Sequence, residues 1–308
     1  MNNTYPNDCK ETQKNNFSKR LTLVCLCGIA SALLIHILSF LTVLSGISKT
    51  NTGYYISLIA VSFLAILLPA VIFSRESGGI KKAVAGNKNK TNIAYSTLLF
   101  ISGLSGCILI NFVVTIISAF FPTVLRQSAP IYTTDIYTFI MTILSMAAAP
   151  AIFEETAYRG FTLSVLKKDG YIYSMIISSV IFGMLHSNIS TALFASLSGI
   201  IFAYVRIHSG TIILPIAIHF VHNTLAVIGN TAMKTLKDEQ FTQIYFEVLI
   251  FSAIIFVICL PVLKRQNILK NKTACLTDEI PTSKKILYTL TCPAFIAFII
   301  ITLILKYL

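Results

Sequence analysis

The sequence predicts an all-α membrane protein, a polytopic bundle of eight or nine transmembrane helices. Of its 308 residues 55% are apolar and only 12% charged, whereas a soluble domain carries about 25% charge. The mean hydropathy is +0.78. Runs of about 20 apolar residues, the length of helix that about 30 Å of hydrocarbon requires, recur along almost the whole chain. One membrane domain over residues 21–308 follows, with no sizeable soluble domain.

The first segment, MNNTYPNDCKETQKNNFSKR, is polar, rich in Asn and Lys, and lacks the layout of a signal peptide. Residues 1–20 are therefore expected to be a retained, disordered cytoplasmic tail. Nine apolar runs follow, at Leu21–Ile47, Thr52–Phe73, Ile93–Phe121, Ile136–Leu166, Tyr171–His186, Thr191–Ile207, Thr211–Ile228, Tyr245–Leu263 and Ile286–Leu305. The first and third are long enough to tilt or kink. The fifth is short, its end depending on where His186 lies, and the count is eight or nine spans.

Loop charge orients the chain. With the N-terminus inside, 18 Lys and Arg residues fall in inside segments and 5 in outside ones, the bias expected of cytoplasmic loops. Arg206, Lys88, Lys90, Lys270 and Lys272 are among the inside set, and Arg126 is outside. The net charge of +12 then reflects short loops meeting anionic lipid. Nucleic acid is not an expected partner, since no basic aromatic patch accompanies the charge. The seven cysteines, Cys9, Cys25, Cys27, Cys107, Cys259, Cys275 and Cys292, form no CxxC pair and sit mostly within apolar runs. They read as small buried hydrophobes. Ala195, Ser196, Ser198 and Gly199 in the sixth run read as a close helix-packing stripe.

Ionisable groups inside membrane helices are costly and mark partners or wet cavities. They concentrate in one stretch, AAAPAIFEETAYRGF, which holds Glu154, Glu155 and Arg159. Glu155 and Arg159, at i and i+4, share a helix face and are expected to pair. Glu154 is turned about 100° away, which leaves one structural carboxylate and one available for chemistry. Histidines supply a second set: His186 at the end of the fifth run, and His219, His222 and Asn223 within the seventh, with His219 and Asn223 on one face. Glu154 lies about 20 Å of helix from the loop at Lys167, and His186 about 22 Å from it, so an antiparallel hairpin brings both to similar depth. His219 matches that depth more loosely. The bland readings are a helix-packing hydrogen bond for His36 and a plain loop position for His208. Glu154, Glu155 and Arg159 by themselves suit a proton or ion pathway as well as catalysis.

At these residues the sequence resembles the family of CAAX proteases and bacteriocin-processing enzymes. The family motifs EExxxR, FxxxH and HxxxN are matched in order by Glu154 to Arg159, Phe182 to His186 and His219 to Asn223, and the resemblance covers about 135–230, the expected catalytic core. It implies an intramembrane glutamic endopeptidase, a hydrolase acting on a peptide or protein within the lipid. By that resemblance Glu154 is the general base, assisted by His186, His219 and Asn223 donate to the oxyanion, and Glu155–Arg159 is a structural ion pair. No cofactor is implied. The nearest alternative is a zinc peptidase with Glu154, His186 and His219 as metal ligands, a donor set that suits catalytic zinc although HExxH is absent. A non-proteolytic bacteriocin-immunity or scaffold protein is a second alternative. A transporter is a third, without the broken helices in matched halves that it predicts.

Overall fold

The computed structural model describes residues 7–86, 92–125, 133, 135–265 and 280–306, and within them all regular structure is helical. Helix α1 spans Asn7–Leu44. Helix thus replaces the disorder expected over 1–20 from Asn7 onward, because tertiary contacts hold this part of the chain. Phe17 is buried against the rings of Tyr173 and Tyr288. Arg20 grips the buried carboxylate of Asp169 through Nε, at 2.8 Å, and Nη2. Lys285 Nζ donates to the carbonyl of the same Asp169 at 2.7 Å, so three distant parts of the chain meet at one residue.

Helix α2, Asn51–Ser77, contains a wide π turn at Phe63–Leu67 just before Pro69. The short α3, Ile80–Val84, is stapled by Arg206, whose guanidinium donates to the carbonyls of Ala83, Val84, Ala85 and Gly210. Arg206 is therefore a carbonyl clamp at the end of a helix rather than a free loop charge. Helix α4 spans Ile93–Phe120, with Asn92 capping the N–H of Ala94. Asp135 caps α5, Ile136–Asp169, by accepting from Thr138 N at 2.9 Å. Helices α6 (Tyr171–Met184), α7 (Ile189–Ser209), α8 (Ile213–Thr235) and α9 (Asp238–Arg265) follow. The last apolar run is two helices, α10 (Thr282–Leu290) and α11 (Pro293–Leu305), bent by 57°. Pro293, which has no N–H to continue a helix, stands at the break.

Seven of these helices are long and apolar enough to cross a membrane, and eight if the bent pair makes one span. The expected fifth span is a helix but ends at Met184. Its 14 residues reach about 21 Å, less than the hydrocarbon thickness. The integral, multi-pass bundle expected from composition is what the chain forms.

Helix α7 is central. It packs along α6 and α4, and the small residues of its stripe permit close approach: Ala195 and Ser198 are buried, and Gly199 lies against Ser179 of α6. Helix α1 runs beside α11, while α9 leans chiefly on α4 and turns Phe251, Val257 and Ile258 outward, as suits a lipid-facing helix. Cys25, Cys27, Cys107, Cys259 and Cys292 are free and buried, as read from the sequence; Cys275, the Cys9 side chain, Lys88, Lys90, Arg126, Lys270 and Lys272 lie outside what is described. His36 bridges helices as expected, with Nδ1 2.9 Å from the Ala32 carbonyl and Nε2 2.9 Å from that of Leu305. His208 departs from expectation. It sits in the last turn of α7, buried, stacked on Tyr204 and bonded to that residue's carbonyl, because α7 continues two residues past the predicted run.

Candidate active site

Helix α5 carries the acidic motif between two π turns, Ile143–Ala148 and Thr156–Thr162, so that Ala149–Glu155 is a short α-helical island. Glu155 and Arg159 are paired as the i, i+4 spacing predicts, Nη1 to Oε1 at 2.8 Å, with both side chains fully enclosed. The rings of Phe182 and Phe202 lie 4.4 and 5.2 Å from the guanidinium carbon, adding cation–π attraction in a dry setting. The guanidinium reaches α7 at Gly199: a Cβ there would come 2.8 Å from Arg159 Nη2 and 3.0 Å from Ser179 Cβ. Gly199→Ala should therefore lower stability by about 1–3 kcal/mol through overpacking. Gly229→Ala, with nothing within 4 Å, should be neutral or better; comparative thermal unfolding of the two variants in one detergent checks this.

Glu154 turns away from that pair, again as the spacing predicts. It faces a cavity of about 150 Å³ lined also by His186, Tyr158, Phe182 and Leu185, by Ile35 of α1 and by Val61, Ser62 and Ile66 of α2. The three α2 residues lie at or beside that helix's π turn. The similar depth expected of Glu154 and His186 is realised in this shared space. His186 lies just past the end of α6, with Nδ1 3.2 Å from the Phe182 carbonyl. A carbonyl only accepts, so Nδ1 carries the hydrogen and Nε2 is left as the ring's available atom. The Phe182 ring meets the His186 ring edge-on at 5.0 Å, fixing its plane.

His219 connects the two carboxylates. It stacks on Phe202 at 5.1 Å, places Nδ1 3.1 Å from Glu155 Oε1, and brings Nε2 within 3.9 Å of Glu154 Oε2. Nδ1–H donates to Glu155, and the 3.9 Å gap to Glu154 is longer than a hydrogen bond. Asn223, one turn on, donates from Nδ2 to the carbonyl of Met146 at 3.0 Å. The reason lies in the sequence of α5. Pro150 has no N–H to offer the carbonyl four residues earlier, and an unpaired carbonyl in lipid is expensive. Asn223→Ala should thus cost about 1–3 kcal/mol by orphaning that acceptor, with Asn223→Gln restoring less than full stability because its amide is displaced by one methylene; chemical denaturation in micelles reads both. His222 stacks on Phe194 at 5.0 Å, on the α7 side.

All of Glu154, Glu155, Arg159, His186, His219 and Asn223 thus belong to one neighbourhood, Glu154 and His186 facing the cavity and the others behind it. The zinc alternative needs Glu154, His186 and His219 on one ion. Among the described residues no three His, Cys, Asp or Glu side chains converge as a ligand group. Sequence reasoning overlooked Tyr158 and Phe202. Tyr158 is i+4 from Glu154, a spacing that signals a shared face, whereas Phe202 is placed only by helix packing. The Asn223 tether was open to inference from Pro150.

Residues 136–225, which hold the whole constellation, match the model of the type II CAAX prenyl endopeptidase Rce1-like family. Over this segment the chain is similar to the CAAX protease family. A Bacillus subtilis (strain 168) protein described as putative membrane peptidase YdiL is 31% identical over 106 residues, which make up 34% of this chain and 43% of that protein. The chain therefore spans less than half the length of the curated relative it matches. No solved structure matches it. The matched segment begins at the first residue of α5 and ends in α8, so the likeness to that family comprises α5 to α8. Helices α1 and α2, which supply one wall of the cavity, lie outside it.

Proposed function

We propose that this chain is an intramembrane endopeptidase of the CAAX protease family that hydrolyses a peptide bond with water activated by Glu154 and His186, its core lying within 135–230 and its N-terminus in the cytoplasm. The observation that carries the reading is the cavity inside an apolar helix bundle lined by both Glu154 and His186, whose Nδ1 is engaged by the Phe182 carbonyl. Glu154 takes a proton from water as the oxygen bonds to the scissile carbonyl carbon. The same proton then passes to the amide nitrogen as the C–N bond breaks, giving a carboxylic acid and an amine and returning Glu154 to its carboxylate form. His186 orients the water through Nε2. Asn223 serves the developing oxyanion with its second N–H, and His219 donates to it from Nε2 in the form of the ring that carries a hydrogen on both nitrogens, Nδ1–H being held by Glu155. Glu155 and Arg159 hold this set in place as a neutral pair.

The substrate is a membrane-embedded peptide or protein. A proteomic comparison of membranes from cells with the wild-type chain and with Glu154→Gln tests the proposal, the expected result being a peptide whose processing stops in the variant. An unchanged peptide complement together with an unchanged phenotype would point instead to a non-proteolytic membrane partner.

A further inference from the structure

Three helices outside or flanking the catalytic island rise side by side from a common level. Phe17 of α1 meets Tyr173 of α6, whose hydroxyl pairs with Thr289 of α10 at 2.8 Å. Higher up, a Cβ on Gly28 of α1 would touch both Phe298 of α11 and Ile181 of α6, at 2.8 and 3.4 Å. Helices α1, α6 and α11 therefore run in the same direction, with α10 at 57° to α11. From that second level His186 lies about 8 Å further along, and His36 and Lys306 each about 12 Å. The bond from His36 Nε2 to the Leu305 carbonyl confirms the match between α1 and α11 and fixes the end of α11. Lys306, the next residue, is half-buried and within electrostatic reach of His186. No carboxylate pairs with it among the described residues. Ile35, the neighbour of His36, lines the cavity itself.

A half-buried ammonium group about 4 Å further along the bundle than His186, with no carboxylate paired to it among the described residues, has the chemistry of an anion receptor. We propose that Lys306 binds an anionic group at the mouth of the Glu154–His186 cavity, a carboxylate of the substrate or the phosphate of a lipid headgroup, with His36 as the positioning residue that holds the end of α11. This rests on the proteolytic reading for its consequence in turnover, but the binding step stands apart from it.

The test uses full-length protein in phosphatidylcholine vesicles and a membrane-anchored peptide made with a free C-terminal carboxylate or as its amide. Binding is measured in the Glu154→Gln background and cleavage with Glu154 intact. The carboxylate form should bind about tenfold more tightly than the amide, as expected of a charged hydrogen bond. Lys306→Gln should erase the difference through KM with little change in kcat, and Lys306→Arg should preserve it. His36→Phe should weaken the preference in the same direction. If the peptide forms bind alike, but adding phosphatidylglycerol raises activity in the wild type and not in Lys306→Gln, the anion is the lipid phosphate. If Lys306→Gln matches the wild type for both peptides and both lipid mixtures, the proposal is wrong. If the wild type cleaves neither peptide, yet Lys306-dependent carboxylate binding persists, the proteolytic reading fails and the anion site stands.

Discussion

Replacing Glu154 by Gln should lower turnover of any cleaved peptide by about 10²–10⁴-fold, the range that a positioned general base contributes, while leaving the melting temperature close to that of the wild type. The side chain has the same shape and loses only its capacity to accept a proton. It makes no hydrogen-bonded pair of the kind Glu155 makes with Arg159, so removing its charge leaves no ion without a partner. His186→Ala should reduce turnover as well, and the double variant should fall little below Glu154→Gln alone, because groups that act on one water are not additive. Single-turnover assays of the three variants on one peptide provide the comparison. Retention of more than about a tenth of wild-type turnover in Glu154→Gln would remove this residue from the role of base. Stoichiometric zinc in pure protein with chelator-sensitive cleavage would reassign it as a ligand.

The second large effect is on folding. Arg159→Met should destabilise the protein by about 3–5 kcal/mol, since it leaves a fully enclosed carboxylate without its counter-ion. The loss includes the contacts of the guanidinium with Phe182 and Phe202. Neutralising both partners, as Glu155→Gln with Arg159→Met, should recover a large part of that cost, because uncharged groups of similar size do not have to be desolvated as ions. Glu155 also accepts from His219, so the recovery should be incomplete. Reversible unfolding in mixed micelles, read as a double-mutant cycle, measures the coupling. A single-variant loss below about 1 kcal/mol would show that the pair is bystander chemistry.

How far the site is legible in sequence depends on whether a contact is local. The pairing of Glu155 with Arg159 and the divergence of Glu154 follow from helical spacing alone, and both are present. The shared depth of Glu154 and His186 follows from counting residues on either side of one short loop. The attachment of His219 to Glu155 spans 64 positions and depends on how α8 leans on α5, which no spacing rule encodes. The same limit applies to the first twenty residues. Their polarity suggests disorder, but Phe17 and Arg20 find partners about 150 residues away. Tyr171–His186 resembles a span in composition yet is too short as a helix, since Leu185 and His186 are spent on the turn into α7. Pro150 carries a signal more specific than kinking: it predicts a bare carbonyl and hence a donor such as Asn223.

The two π turns of α5 have a bearing on how this chain tolerates changes in length. Each wide turn accommodates one residue more than ordinary helical winding would. Excising a single residue within Ile143–Ala148 would remove that surplus and leave the rest of the helix in phase, whereas excising one from the regular stretch 149–153 would swing everything beyond it by about 100° relative to what precedes it. The carboxylate now turned to His186 would then face a neighbouring helix or the acyl chains, although every motif residue would still be present and in order. Spelling and spacing within the motif are thus insufficient; the phase set by the residues just upstream matters as well, and length variation should be confined to the connections between helices and to the wide turns.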